Sequence, residues 1–144
     1  MNLKDLIISV LLILTTGYVC AKTTKSDQCG KMIGSFIAEN NDFSGFEIIP
    51  SEDLSIWIDN DEFIITLSRN KEYTFEFRKK GCSSKTIIVS TKNITKKQWR
   101  KGVSSIYFEI DFTNPYTDID PAIKGKTPFV YYVPDTNSFD YTYK

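Results

Sequence analysis

The chain has 144 residues with 18 basic and 18 acidic side chains, so its formal net charge is zero, and it contains no histidine. Zero net charge argues against a nucleic acid or an anionic membrane as a partner held by bulk electrostatics. The absence of histidine excludes Ser-His-Asp and Cys-His catalysis, imidazole general bases and most zinc sites.

Residues 1–21 have the layout of a secretory signal peptide. Leu6–Leu14 is an uninterrupted apolar run, and small and polar residues follow it as far as Val19-Cys20-Ala21. Cleavage after Ala21 places a small residue at position −1 and valine at −3. The apolar run is about half of the ~20 residues that a spanning helix needs. We therefore predict an exported chain, periplasmic, cell-surface or secreted, that is not a transmembrane protein.

Two alternatives to free secretion remain open. Lipoprotein processing at Cys20 would tether the mature chain by a lipid, although Tyr18 stands where a lipobox has a small residue. The other alternative is an N-terminal anchor that is retained.

The mature chain has the length of one domain, and we predict a lead-in segment over 22–30 and a single domain over 31–144. Its two cysteines are Cys29 and Cys82, because Cys20 is removed or lipidated. In an exported chain two cysteines suggest one disulfide, which would stabilise the fold by roughly 4 kcal/mol. This bond would leave no free thiol nucleophile.

The first part of the domain contains short apolar runs that turn residues separate. Asn, Asp and Gly in the segment Glu39–Gly45 are typical of a turn, and Pro50 ends the second run. The predicted strands here are Lys31–Ala38, Phe46–Ile49 and Leu54–Ile58.

Segment 59–93 predicts three consecutive strands, because apolar and polar residues alternate in it and polar turns separate the runs. The same alternation is strictest in Ser105–Phe112, and Pro128–Val133 is predicted as the last strand. Asn93–Gly102, which contains Trp99, is predicted as a helical turn or a loop, and 113–127 as an irregular segment.

Strands spaced 8 to 12 residues apart predict an all-β fold, a two-layer antiparallel β-sandwich of about seven strands. The apolar residues in the inward phase of these strands form the predicted core. They are Phe63, Ile65, Leu67, Tyr73, Phe75, Phe77, Ile87, Val89, Ile106, Phe108 and Ile110.

A strand, a polar turn and then "YTFEFRKKG" and "SKTIIVST" resemble the carboxypeptidase-regulatory-like module of exported Bacteroidetes proteins. The resemblance covers roughly 31–144 and implies a transthyretin-like (prealbumin-like, Ig-like) sandwich that is usually non-catalytic. In two places the chain departs from the pattern: Asp61-Glu62 replaces the usual turn glycine, and Cys82 replaces a tyrosine. The matching positions are Asp59, Phe63, Leu67, Tyr73, Lys80, Gly81, Ser84 and Lys85.

The run Asp59-Asn60-Asp61-Glu62 offers hard oxygen ligands for Ca²⁺, but it lacks the glycine and distal glutamate of an EF-hand loop. A tight turn between strands explains the same residues, because Asp and Asn side chains cap turns. We therefore predict no metal site and no cofactor.

Aromatic residues outside the predicted core could form a platform for a glycan or a protein. The alternative is that they cover the second face of a small sandwich. The candidates are Trp99, Tyr107, Tyr131 and Tyr143.

Taken together, these features predict a non-catalytic module that has a structural or protein-interaction role at the cell envelope. No motif positions a nucleophile, a phosphate or a metal, so we predict no catalytic residues and no enzymatic activity. The alternative function is carbohydrate binding through exposed aromatic side chains.

Overall fold

A computed structural model of the protein describes residues 28–113 and 125–144. The predicted signal peptide, most of the lead-in segment and residues 114–124 of the predicted irregular segment lie outside these ranges. The described elements are β1 (Gln28–Ile37), β2 (Phe46–Pro50), β3 (Ile56–Asp59), β4 (Glu62–Ser68), β5 (Glu72–Lys79), β6 (Lys85–Ser90), α1 (Lys96–Lys101), β7 (Ile106–Asp111), β8 (Pro128–Val133) and β9 (Ser138–Tyr143).

The strands form two sheets, which confirms the all-β sandwich. Sheet A has the order β3-β4-β1-β7, and sheet B has the order β2-β5-β6-β8-β9. The described strands number nine rather than about seven: eight lie at the predicted positions, and the aromatic tail adds β9 in a hairpin with β8. The sheets are also not wholly antiparallel, since β1 pairs with β7 and β6 with β8 in parallel.

One core lies between the two sheets, and the inward-facing apolar side chains of the alternating strands fill it. Every residue of the predicted core is buried except Phe108, which is half-buried. Phenylalanines from both sheets meet at its centre: the Phe77 ring centroid of sheet B lies 5.5 Å from that of Phe63 and 6.4 Å from that of Phe36. The core therefore depends on aromatic contacts between layers.

Two glycines on the inner side of β1 leave space for large rings. A Cβ atom on Gly34 would lie 2.4 Å from Cζ of Phe63 and 2.7 Å from the carbonyl oxygen of Phe108. A Cβ atom on Gly30 would lie 2.6 Å from Cη2 of Trp99. These positions need glycine because of close packing, so the sequence KMIGSFIA carries a steric requirement that its hydropathy does not show.

Segment 93–102 contains a short helix, one of the two predicted outcomes. Thr95 caps α1: its hydroxyl accepts a hydrogen bond from the backbone N–H of Gln98, and the Gln98 side chain accepts one from the backbone N–H of Thr95. The helix ends at Gly102, whose φ of 95° lies in the left-handed region. Its buried residue, Trp99, packs over the start of β1 at Gly30.

We expect the substitution Gly34→Ala to lower the free energy of unfolding by about 1–3 kcal/mol, because the added methyl group overpacks the contact between β1 and Phe63. The matched control is Ser35→Ala, on the outer side of the same strand, which should change it by less than about 0.5 kcal/mol. Urea denaturation of both variants measures the difference. Equal effects would contradict the close contact at Gly34.

Candidate binding surface

The outer face of sheet A carries a continuous row of apolar side chains across all four strands. The strand registers pair Trp57 with Ile64, Ile64 with Ile33 and Ile33 with Tyr107. We call these residues the apolar row: Trp57 on β3, Ile64 on β4, Ile33 on β1 and Tyr107 on β7. Because directly opposed residues lie on the same face of a sheet, the row runs perpendicular to the strands.

The two ends of the apolar row are the most accessible. Tyr107 is 72% exposed and Trp57 is 48% exposed, whereas Ile33 and Ile64 are half-buried between them. Three strand spacings of about 4.8 Å separate the aromatic ends by about 14 Å. The row is therefore a flat, partly aromatic strip on an open face.

A row of acidic residues runs beside the apolar row, two positions away on each strand and about 6.6 Å from it. It contains Asp59, Glu62 and Glu109, with Ser35 between the two glutamates. All three acidic residues are exposed. We call these three the acidic row, and on the opposite side of the apolar row Thr66 pairs with Lys31.

An apolar groove of about 420 Å³ lies between β7 and the β8–β9 hairpin. Half-buried side chains of Phe108, Val130 and Phe139 line it, with Ile87 between them. The hydroxyl of Ser104 donates to the carbonyl oxygen of Asn137 at 3.2 Å, which connects the chain before β7 to the hairpin turn. Phe108 is thus only half-buried because the two sheets are not closed against each other here.

A polar depression of about 500 Å³ lies at the other end of β7 and includes Lys79, Lys80 and Phe112 in its lining. The Ser44 hydroxyl and backbone N–H hold the pKa of the exposed Asp42 carboxyl below its usual value, and Lys79 adds to this effect. The Lys79 ammonium group lies 3.4 Å from Asp42 Oδ2. The Lys79 side chain is largely covered, whereas the Asp42 carboxylate remains open to water.

The four aromatic residues predicted as a binding surface are not brought together. Tyr107 lies on the outer face of sheet A. Tyr131 lies on the outer face of sheet B, where it stacks on Phe129 with ring centroids 5.9 Å apart. Tyr143 is close to the end of β9 and contacts Tyr141 edge-on at 6.0 Å.

The prediction for Trp99 was wrong, because its side chain is only 2% exposed. The capped helix α1 directs the indole into the core, where it occupies the space that Gly30 leaves. Its polar neighbours in the sequence hide this role, since a six-residue helix shows too little periodicity to identify its buried side.

Two members of the apolar row, Ile33 and Ile64, were missed as candidate binding residues, whereas Trp57 is one of the aromatic residues outside the predicted core that could form a platform. The two isoleucines could have been found from the sequence as apolar residues at the strand positions whose side chains point away from the core. In FIITL, Phe63 and Ile65 are buried, so Ile64 between them must point outward. Their alignment into one row depends on strand register, which the alternation does not specify.

The structure does not support the predicted disulfide between Cys29 and Cys82. Cys82 is an exposed free cysteine whose Sγ lies 4.0 Å from the carbonyl oxygen of Phe112, and the backbone N–H of Phe112 donates to Ile37 at the end of β1. Cys29 stands at the start of β1, about 25 Å along the strand from Ile37. A disulfide requires Cα atoms within about 7 Å.

The Asp59–Glu62 run forms the turn between β3 and β4. Asn60 has a φ of 52°, in the left-handed region, and its amide donates to Asp59 Oδ1 at 3.2 Å. No group of three or more His, Cys, Asp or Glu residues in the described ranges is arranged to hold a metal ion. The described part of the chain also contains no helix with the length and apolarity of a membrane span.

Comparison of the chain with protein-family models, with curated proteins and with solved structures gives no match. Functional inference therefore depends on the surfaces described above.

The two tryptophans should report opposite environments. We expect the variant Trp57→Phe, which retains the buried Trp99, to fluoresce at shorter wavelength and to resist acrylamide quenching. The reciprocal variant Trp99→Phe retains the half-exposed Trp57 and should emit at longer wavelength with efficient quenching. Equal quenching of both variants in the folded state would contradict the burial of Trp99.

Tyr132 should make stability depend on alkaline pH. Burial raises the pKa of its phenol above the usual value of 10.0, and the hydroxyl donates to Asn137 Oδ1 at 2.6 Å. A raised pKa in the folded state means that the contribution is complete below pH ~10 and declines as the pH rises through the folded pKa. Below that pH, Tyr132→Phe should lose about 1 kcal/mol with the hydrogen bond.

Urea denaturation of wild type and Tyr132→Phe between pH 8 and 11 measures this dependence. The difference in unfolding free energy between the two proteins should narrow above pH ~10. Other titrating groups are common to both proteins and cancel in the difference. A difference that stays constant over this range would contradict the environment assigned to Tyr132.

Proposed function

We propose that this chain is an exported, non-catalytic β-sandwich module that binds a protein partner at the cell envelope through the outer face of sheet A. The apolar row is the observation that carries the proposal. Large apolar side chains on a solvent-facing sheet surface are typical of interaction sites, especially where polar residues border them.

The surface is suited to a partner of definite chemistry. Trp57 and Tyr107 are residue types that dominate binding energy in protein interfaces, and the isoleucines between them offer aliphatic contact area. The acidic row places three carboxylates along one side of this strip. We infer a partner surface with an apolar centre and lysine or arginine residues along one side.

The first 21 residues support export, because they have the signal-peptide layout described above. The β-sandwich is also the fold that the resemblance to carboxypeptidase-regulatory-like modules implies, and such modules are usually non-catalytic parts of exported proteins. This resemblance supports the compartment and the class of function.

Chemical arguments support a non-catalytic role. The sequence has no histidine, and carboxylate catalysis requires a cleft that desolvates one acid and raises its pKa. Asp59, Glu62 and Glu109 are exposed on an open sheet face and do not lie in a cleft.

Carbohydrate binding is the second candidate function. Two exposed aromatic side chains about 14 Å apart, beside carboxylates that accept hydrogen bonds from hydroxyl groups, could bind several sugar units in a row. The isoleucines in the middle of the row favour a protein partner instead, since they offer neither a ring face nor a polar group. Binding of a protein partner and saturable binding on a glycan array separate the two functions.

The test uses the mature protein immobilised against envelope proteins of its own host. A specific partner should be retained by wild type and by Ile49→Ala, which removes an exposed apolar side chain on sheet B. Trp57→Ala and Tyr107→Ala should each weaken binding of the purified partner by about 30-fold, as for an interface hot spot. Titration calorimetry measures the affinity, and thermal unfolding checks that each variant folds.

The acidic row leads to a second prediction. Glu62→Gln combined with Glu109→Gln should weaken the complex and reduce its dependence on salt concentration. Saturable binding on a glycan array that Trp57→Ala abolishes would favour the carbohydrate function. A partner whose affinity is the same for Trp57→Ala, Tyr107→Ala and Ile49→Ala would overturn the assignment of the outer face of sheet A.

A further inference from the structure

The edge of sheet A at β7 is the feature from which a second binding site follows. In the described part of the chain, β7 pairs only with β1, so its other side borders no strand. Sheet B has one strand more than sheet A, and the β8–β9 hairpin lies across the groove from β7. Among the described residues, the sandwich therefore has room for one more strand beside β7.

The direction of the β7 backbone groups follows from its pairing with β1. The N–H of Phe112 donates to the carbonyl oxygen of Ile37 at 2.8 Å. Every second residue before Phe112 on β7, including Phe108, also points its backbone N–H and C=O groups toward β1. Residues of the opposite phase point their N–H and C=O groups toward the open edge. Tyr107 and Glu109 therefore present a donor and an acceptor each to an incoming strand.

The groove below this edge would receive the inner side chains of such a strand. Phe108 and Phe139 line it and are half-buried, so they leave apolar surface in contact with water. Burial of this apolar surface on binding is favourable, because it removes the surface from water. An extended segment beside β7 would thus gain backbone hydrogen bonds and apolar contacts together.

We propose that an extended, basic segment of a partner protein adds to the free edge of β7 as a fifth strand of sheet A. Its alternate side chains are apolar and enter the groove between β7 and the β8–β9 hairpin. This groove is a different surface from the apolar row, although Tyr107 belongs to both.

The charges around the groove indicate which side chains the segment carries at its outward-facing positions. The charged residues among the described residues that line the groove are Glu109 and Asp140, both acidic. A fifth strand would continue the rows of the outer face, so one of its outward side chains would lie beside Glu109 and the next beside Tyr107. Lysine or arginine fits both neighbours, by charge pairing with Glu109 and by a cation–π contact with the Tyr107 ring.

The same charges argue against a second copy of this chain as the occupant. Antiparallel pairing of two β7 edges around Glu109 would place two Glu109 carboxylates opposite each other. Like charges that face each other directly destabilise a strand pair. Charged residues on an edge strand are a common means of preventing self-association. The edge is therefore suited to a basic strand and not to its own copy.

The test uses a synthetic seven-residue peptide of alternating lysine and valine, with blocked ends, titrated into the mature protein. Saturable binding is expected by calorimetry, and the largest amide chemical-shift changes should fall at Tyr107 and Glu109. Two control peptides separate the contributions. A peptide with glutamate in place of lysine should bind at least ~10-fold more weakly. A peptide whose backbone nitrogens are methylated at the alternate residues that face β7 should not bind, because those nitrogens can no longer donate hydrogen bonds.

Protein variants locate the site. Glu109→Gln removes the charge and should weaken peptide binding several-fold, whereas Glu109→Pro also removes the outward N–H and should weaken it further. The matched control, Glu47→Gln, changes an exposed acidic residue on the edge strand β2 and should leave binding unchanged. Because Glu109→Pro risks misfolding, Glu109→Gln and the methylated peptides carry the test.

Failure of the lysine–valine peptide to bind would overturn the proposal. Binding that tolerates both phases of backbone methylation, or that is equal in wild type and Glu109→Gln, would also overturn it, since neither result fits strand addition at β7. Tyr107 and Glu109 contribute to both proposed surfaces, so Trp57→Ala, on the opposite edge of sheet A, is the variant that separates the two outcomes: it should weaken the envelope partner and leave peptide binding unchanged.

Discussion

The contact between the two sheets through the phenylalanine cluster is the interaction on which the other features depend. The Phe77 ring centroid of sheet B lies 5.5 Å from that of Phe63 and 6.4 Å from that of Phe36, both of sheet A. This arrangement requires Gly34, because any larger residue would occupy the position of the Phe63 ring. The size of the core is thus set by aromatic rings on three strands and by the missing side chain beside them.

The inward direction of these rings determines the outer surface as well. Side chains alternate along a strand, so burial of Phe63 and Ile65 forces Ile64 outward, and the inward position of Gly34 forces Ile33 outward. The β1 register with β4 and β7 then aligns the outward residues into the apolar row and the acidic row. The proposed binding surface thus arises from the same pattern that builds the core.

The unequal size of the sheets produces the second surface. Four strands face five, so the hairpin β8–β9 extends beyond the described edge of sheet A and leaves Phe108 and Phe139 partly covered. Acidic residues at this edge, Glu109 among them, oppose pairing with a second copy and favour a basic strand. The two surfaces meet at Tyr107, so that β7 contributes to both.

The sequence by itself determined the class of fold, most strand positions and the part of the core that lies on β4, β5, β6 and β7, because alternation is a local property that the burial of one face imposes. The core residues on β1, among them Phe36, were not predicted. The sequence also determined that histidine-dependent chemistry is absent. Strand order, the parallel pairs, the burial of Trp99 and the separation of Cys29 from Cys82 were decided only by the tertiary structure. Alternation says which side chains share a face of one strand, whereas pairing between distant strands decides which residues become neighbours.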